Sequence, residues 1–101
     1  MAFVRAARKD DVPVGKIYEF QVAGKAIAVA NVAGKLFAIN SVCLHQGGPL
    51  GEGELEGQIV TCPWHGWQYD VTTGKVVQSP GMGVECYPVE VRGADIFVDI
   101  G

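Results

Sequence analysis

Apolar and polar positions along this chain come in short alternating stretches rather than in helical stripes. Residues 17–22, 26–32 and 36–40 are rich in β-branched, aromatic and aliphatic side chains, which favours extended backbone. Both joints between them are Ala-Gly pairs, Ala23-Gly24 and Ala33-Gly34, where glycine supplies the positive φ of a tight hairpin. The motif Val-Ala-Gly-Lys occurs at both joints and predicts two similar turns; the period does not continue, so no repeat architecture follows. Further strands are predicted over 58–61, 67–70, 75–77, 85–91 and 96–100, with turns at Thr73-Gly74 and Gly93-Ala94. Within 85–91, the alternation of Tyr87, Val89 and Val91 predicts one buried face. Pro88 has no N–H for a sheet ladder and predicts an edge or a bulge. No segment carries helical periodicity beyond a turn or two. The expected fold is all-β, an antiparallel β-sandwich or small barrel. Two segments, 43–53 and 62–66, break the strand pattern and are expected to be loops.

Length and composition narrow this picture. At 101 residues the chain makes one domain, able to bury roughly two-thirds of its unfolded surface. Apolar residues make up 49%, which argues against disorder. A net charge of −3 gives no support for nucleic-acid binding. The most apolar run, residues 26–33, contains Asn31 and falls far short of the roughly 20 residues of a membrane span. The first residues, MAFVRAARKDD, hold no stretch of signal-peptide hydrophobicity, so the expectation is a cytoplasmic protein without membrane association.

The candidate chemistry lies in the two loops. Cys43-Leu-His45 is followed, after sixteen residues, by Cys62-Pro-Trp-His65. Each short loop offers one thiolate and one imidazole, and two such loops on neighbouring hairpins can clamp one inorganic centre. Three cysteines, two of them beside histidines, point to metal rather than to a disulfide framework. A tetrahedral Cys2His2 zinc site is one alternative, though zinc fingers place a cysteine pair before a histidine pair carried on a helix. Four unconnected turn or core residues are another. The order Cys, His, Cys, His favours an iron–sulfur centre over both.

The stretches CLHQGGPLGEGELEG and CPWHGWQYD resemble the Rieske signature Cys-x-His…Cys-x-x-His, strongly over the middle third of the chain and more loosely through the strand pattern. The resemblance implies a Rieske fold with a small cluster-binding subdomain at about residues 41–82, and one 2Fe–2S cluster per chain. It also implies that Cys43 and Cys62 hold the inner iron while His45 and His65 hold the outer one near the surface. The chain is most similar to ferredoxins of bacterial aromatic-ring dioxygenase systems, which carry single electrons from a flavin-dependent NAD(P)H reductase to a terminal Rieske oxygenase. A small subunit of an assimilatory nitrite reductase is the alternative within the family, and a zinc-stabilised interaction module the alternative outside it. Rieske proteins of cytochrome b complexes carry a loop disulfide where this chain has Gly48 and Trp64, and a membrane anchor that this sequence does not show. A mononuclear iron oxygenase site needs two further histidines, but His45 and His65 are the only ones, so the chain is not itself expected to be an enzyme.

The neighbours of the loops carry further expectations. Gly47-Gly48-Pro49 and Gly51 are expected to wrap the cluster and offer amides to sulfur. Ser79-Pro80-Gly81 is expected, by the resemblance, to form a shielding third loop. Tyr69 either donates its hydroxyl to a ligand cysteine or is a packed strand aromatic. Trp64 and Trp67 are a lid, a docking surface or core, with packing expected for at least one. Cys86 is expected to be a small structural thiol. Glu52, Glu54 and Glu56 either serve docking or form a solvated hairpin edge. Residues 36–101 carry net −6 and residues 1–35 net +3, a polarity that places negative charge nearer the cluster. Trp67 stands where high-potential relatives have a sulfide-bonding serine, which predicts a potential in the lower part of the Rieske range.

Overall fold

The structure is a computed structural model; residues 3–43, 48–64 and 66–100 are described. Among them are ten strands: β1 (Phe3–Arg8), β2 (Ile17–Val22), β3 (Lys25–Val32), β4 (Lys35–Asn40), β5 (Glu54–Glu56), β6 (Ile59–Thr61), β7 (Gln68–Asp70), β8 (Cys86–Tyr87), β9 (Val89–Arg92) and β10 (Asp95–Asp99). They form three antiparallel sheets in the orders β1-β10-β9, β2-β3-β4-β8 and β5-β6-β7. Two 3-10 turns, Lys9–Asp11 and Leu50–Glu52, complete the regular structure, which holds no α-helix among the described residues. The all-β expectation holds. No described helix is long and apolar enough to cross a membrane.

The hairpins β2-β3 and β3-β4 close through two-residue loops, since Val22 pairs with Lys25 and Val32 with Lys35. Both residues of each loop have positive φ: Ala23 50°, Gly24 83°, Ala33 53° and Gly34 95°. This is the type I′ pattern, whose twist matches that of the strands. The alanines accept the left-handed region that glycine was expected to supply alone, at the steric cost of a Cβ there.

Strand β3 organises the interior. Ile27 and Val29 point to one core, with Val12, Val22, Ala38, Tyr87, Ile96 and Val98. Ala28 and Ala30 point to the other, with Ile39, Leu50, Val60, Tyr69, Val71, Cys43 and Cys62. A strand covered on both faces needs apolar residues at successive positions, which explains the near-continuous run in its sequence. Burying one branched side chain such as Ile27 contributes about 1.5–3 kcal/mol.

The sequence-based strands need four corrections. Strand β1 was not expected; its register slips between Arg5 and Ala7, and this bulge breaks the alternation a strand normally displays. The three-residue β5, of sequence Glu-Leu-Glu, has only Leu55 to turn inward and carries little signal. Residues 75–77 form isolated pairings, Tyr69 with Val76 and Lys75 with Gly83, rather than a strand. The segment 85–91 is two strands: Pro88 interrupts the ladder, so β8 joins β4 while β9 joins β10. Its expected single buried face fails for the same reason, with Tyr87 buried, Val89 half-buried and Val91 exposed.

Candidate metal centre

The first loop leaves β4 at Ser41. It closes on itself: the Cys43 amide donates to the Gly48 carbonyl at 2.8 Å, Val42 pairs with Pro49, and the Leu50 amide returns to the Ser41 carbonyl at 2.6 Å. The second loop joins β6 to β7 and is equally tight. The Cys62 amide donates to the Trp67 carbonyl at 2.7 Å and the Gly66 amide to the Cys62 carbonyl at 3.1 Å. Gly66 has φ 77°, the left-handed conformation that lets so short a turn reverse.

These closures bring Cys43 and Cys62 together at the edge of one core, both buried at 3% exposure. Neither forms a disulfide. Burial pushes the Cys62 thiol up; the backbone N–H of Trp64 pulls it down, and the neighbouring Cys43 sulfur raises it further. The Cys62 thiol, buried beside a second sulfur, is costly to ionise unless a cation takes the charge. Tyr69, fully buried, places its hydroxyl 3.2 Å from Cys43 Sγ. When that sulfur is a thiolate, the tyrosine is the donor. Tyr69 is thus a packed aromatic whose hydroxyl also meets the Cys43 sulfur.

Gly48 lines the pocket closely. A Cβ there would lie 2.9 Å from Cys62 Sγ and 2.9 Å from Trp64 Cγ, so the second loop packs against bare backbone. Gly51 departs from expectation. Its amide donates to Ser41 Oγ at 3.1 Å, and a Cβ would meet the Glu19 backbone at 2.5 Å, so its lack of a side chain serves packing against β2. Gly47, His45 and His65 lie outside the described residues, and among the described residues no third Cys, His, Asp or Glu joins the thiol pair.

Around the pair, Trp67 packs on the core and Trp64 is 52% exposed, so one tryptophan of the two is core. Glu52, Glu54 and Glu56 are all exposed. Glu52 and Glu54 line a hollow of about 440 Å³ beside Cys62 and Trp64; Glu56 does not reach it. Ser79-Pro80-Gly81 is an exposed turn, joined to β7 through the Val77 amide on the Gln68 carbonyl and paired Gln68 and Gln78 side chains. Cys86 is exposed on β8, its thiol raised by partial burial. It is no packed interior thiol, because β8 lies at a sheet edge.

The donor set suits a centre that takes two thiolates on one metal: paired buried sulfurs, a hydroxyl donor on one, an amide on the other, and a glycine where no side chain fits. The family model for the Rieske [2Fe-2S] domain matches residues 2–88. The chain belongs to the Rieske [2Fe-2S] family. It is 33% identical over 97 residues to the ferredoxin component of the naphthalene 1,2-dioxygenase/salicylate 5-hydroxylase systems of Ralstonia sp., covering 95% of this chain and 93% of that one. Its fold matches the ferredoxin of carbazole 1,9a-dioxygenase from Nocardioides aromaticivorans IC177 with a TM-score of 0.88 at 29% identity, covering 97% of each chain. It also matches a chain in the complex of reduced oxygenase and oxidized ferredoxin in carbazole 1,9a-dioxygenase, with a TM-score of 0.84 at 28% identity, covering 95% of this chain and 91% of that one. The cofactor of this Rieske protein is a 2Fe–2S cluster, and its role is electron transfer rather than substrate turnover.

Proposed function

We propose that this Rieske protein is the ferredoxin component of a cytoplasmic aromatic-ring dioxygenase system, with Cys43, His45, Cys62 and His65 as its cluster ligands. The observation that carries the ligand reading is the buried contact pair of Cys43 and Cys62 under the Tyr69 hydroxyl. The loops after these cysteines bear the two histidines of the chain, which complete a Cys2His2 set. The cluster-binding subdomain spans about residues 41–82 within a single domain of residues 1–101.

When bound, the cluster accepts and releases one electron at a time. The protein residues hold the sulfurs dry, donate to one of them through Tyr69, and keep the second loop close against Gly48. The electron source is a flavin-dependent NAD(P)H reductase, which divides a two-electron hydride into single electrons, and the acceptor is a terminal oxygenase. Partners approach the loop end, where Trp64, Glu52 and Glu54 flank Cys62.

The test is reconstitution. Purified chain should hold two irons and two sulfides. With NAD(P)H and a ferredoxin reductase of this class it should be reduced and form no product, and addition of a terminal oxygenase should start aromatic dihydroxylation. Product without the oxygenase, or electron delivery only to a nitrite reductase large subunit, sinks the proposal. The potential should lie in the lower part of the roughly −150 to +300 mV Rieske range, because Trp67 supplies no hydroxyl to sulfide.

A further inference from the structure

Both feet of the first loop rest on a single buried serine. Ser41 is fully buried, and all four of its hydrogen-bonding groups are engaged. Its amide donates to the Ala26 carbonyl of β3 at 2.9 Å, and its carbonyl accepts the Leu50 amide at 2.6 Å. Its hydroxyl donates to Glu19 Oε1 at 2.6 Å and accepts the Gly51 amide at 3.1 Å. Residue 41 is where the chain enters the loop, and residues 50 and 51 are where it leaves. The other end of this network, Glu19, is a strand residue of β2 in the body of the sandwich.

The contact leaves little play. Gly51 sits so close to Glu19 that even a Cβ would strike its backbone. A hydroxyl-to-carboxylate bond of 2.6 Å is of the short, strong, charge-assisted kind. Two residues beyond Ser41 is Cys43, whose sulfur faces the Tyr69 hydroxyl across 3.2 Å. Tyr69 is anchored separately on β7 in another sheet. The length of the Cys43–Tyr69 bond therefore depends on how firmly the first loop is pinned to the sandwich.

We infer that Ser41 and Glu19 are positioning residues for the cluster: they pin both feet of the first loop to β2 and thereby set the hydrogen bond from Tyr69 to the Cys43 sulfur. The inference rests on Cys43 being a cluster ligand. Sulfur hydrogen bonds stabilise the extra electron of the reduced state, so a loosened pin lowers the reduction potential. The sign is diagnostic, because removal of the Glu19 negative charge by itself raises the potential.

The experiment compares Ser41→Ala, Glu19→Ala and Glu19→Gln, each with Tyr69 present and in a Tyr69→Phe background. The readouts are the midpoint potential, the EPR spectrum of the reduced cluster and the rate of bleaching in chelator. Ser41→Ala and Glu19→Ala should lower the potential and bleach roughly tenfold faster. In the Tyr69→Phe background their shift in potential should shrink by more than half, the signature of coupled sites. Glu19→Gln should not lower the potential, since its amide oxygen accepts the same bond and the lost charge by itself only raises it. A Ser41→Ala protein that melts earlier with unchanged potential and EPR spectrum overturns the inference, as does a rise in potential shared by both Glu19 variants. If Ser41→Ala yields no folded protein, the two Glu19 variants decide the question at a part-exposed position. Retention of an unperturbed cluster by Cys43→Ser overturns the ligand reading instead, and leaves a different signature.

Discussion

The two cores on either side of β3 are made differently. The core holding Ile27, Val29, Ile96 and Val98 is aliphatic apart from Tyr87, and its walls are long strands joined by two-residue turns. The core holding Cys43, Cys62 and Tyr69 backs on the same long strands but is walled on its other side by three-residue strands and by loops tied through side-chain and backbone hydrogen bonds. One side is a foundation whose residues need only be apolar and well shaped. On the proposed ligand reading the other has to present sulfur atoms at a set separation, and glycines, a buried serine and a tyrosine hydroxyl surround them there. That reading assigns stability and redox function to opposite faces of one strand.

The largest effect that tests this division is loss of a ligand. Cys43→Ser or Cys62→Ser should abolish the visible spectrum of the cluster, and so should His45→Ala or His65→Ala. Far-UV circular dichroism should stay β-rich, because the aliphatic core does not involve the loops. Collapse of the β signal in those variants merges the two regions into one cooperative unit. Next comes Ile27→Ala, which should cost about 2–5 kcal/mol in denaturant unfolding while leaving the potential unchanged. A shift of the potential in that variant shows that the cores communicate through β3.

Tyr69→Phe keeps the ring in the core and removes the donor to Cys43. We expect the potential to fall by on the order of 50 mV, about 1 kcal/mol for a one-electron couple, with little change in unfolding midpoint. A smaller effect belongs to Asp70. Burial raises its carboxyl, but hydrogen bonds from the Thr72 hydroxyl and amide and from Gln58 outweigh this and hold it below the usual aspartate value. A depressed folded value means the stabilisation is present above the unfolded pKa and disappears as pH falls through the folded one. Asp70→Asn should therefore lower stability at pH 7, where this stabilisation is present, and flatten the acid limb below about pH 4, where variant and parent converge. The smallest effect concerns partner docking. Reduction by the reductase should slow as salt rises, and Glu52→Gln with Glu54→Gln should blunt that slope more than Glu56→Gln, since the first two line the hollow beside Cys62. Equal effects from all three remove the hollow from the docking face.

Sequence by itself determined the elements whose signals are local. The hairpins around β3 were legible because strand propensity and turn chemistry are written within about ten consecutive residues. The thiol pair was foreshadowed because Cys-x-His and Cys-x-x-His mark two loops by residue identity and spacing, and the structure brings their cysteines together. The tertiary structure decided everything that depends on distant neighbours. The switch of sheets at Pro88 exists because β8 and β9 find different partners, which one proline can only hint at. The exclusion of a side chain at Gly48 arises from Cys62 and Trp64 in another loop, and the engagement of the Gly51 amide arises from Ser41. The bond between Glu19 and Ser41 joins residues 22 apart, and no local pattern of a glutamate and a serine announces it. Propensity acts along the chain; these contacts act across it and exist only once the sheets have packed.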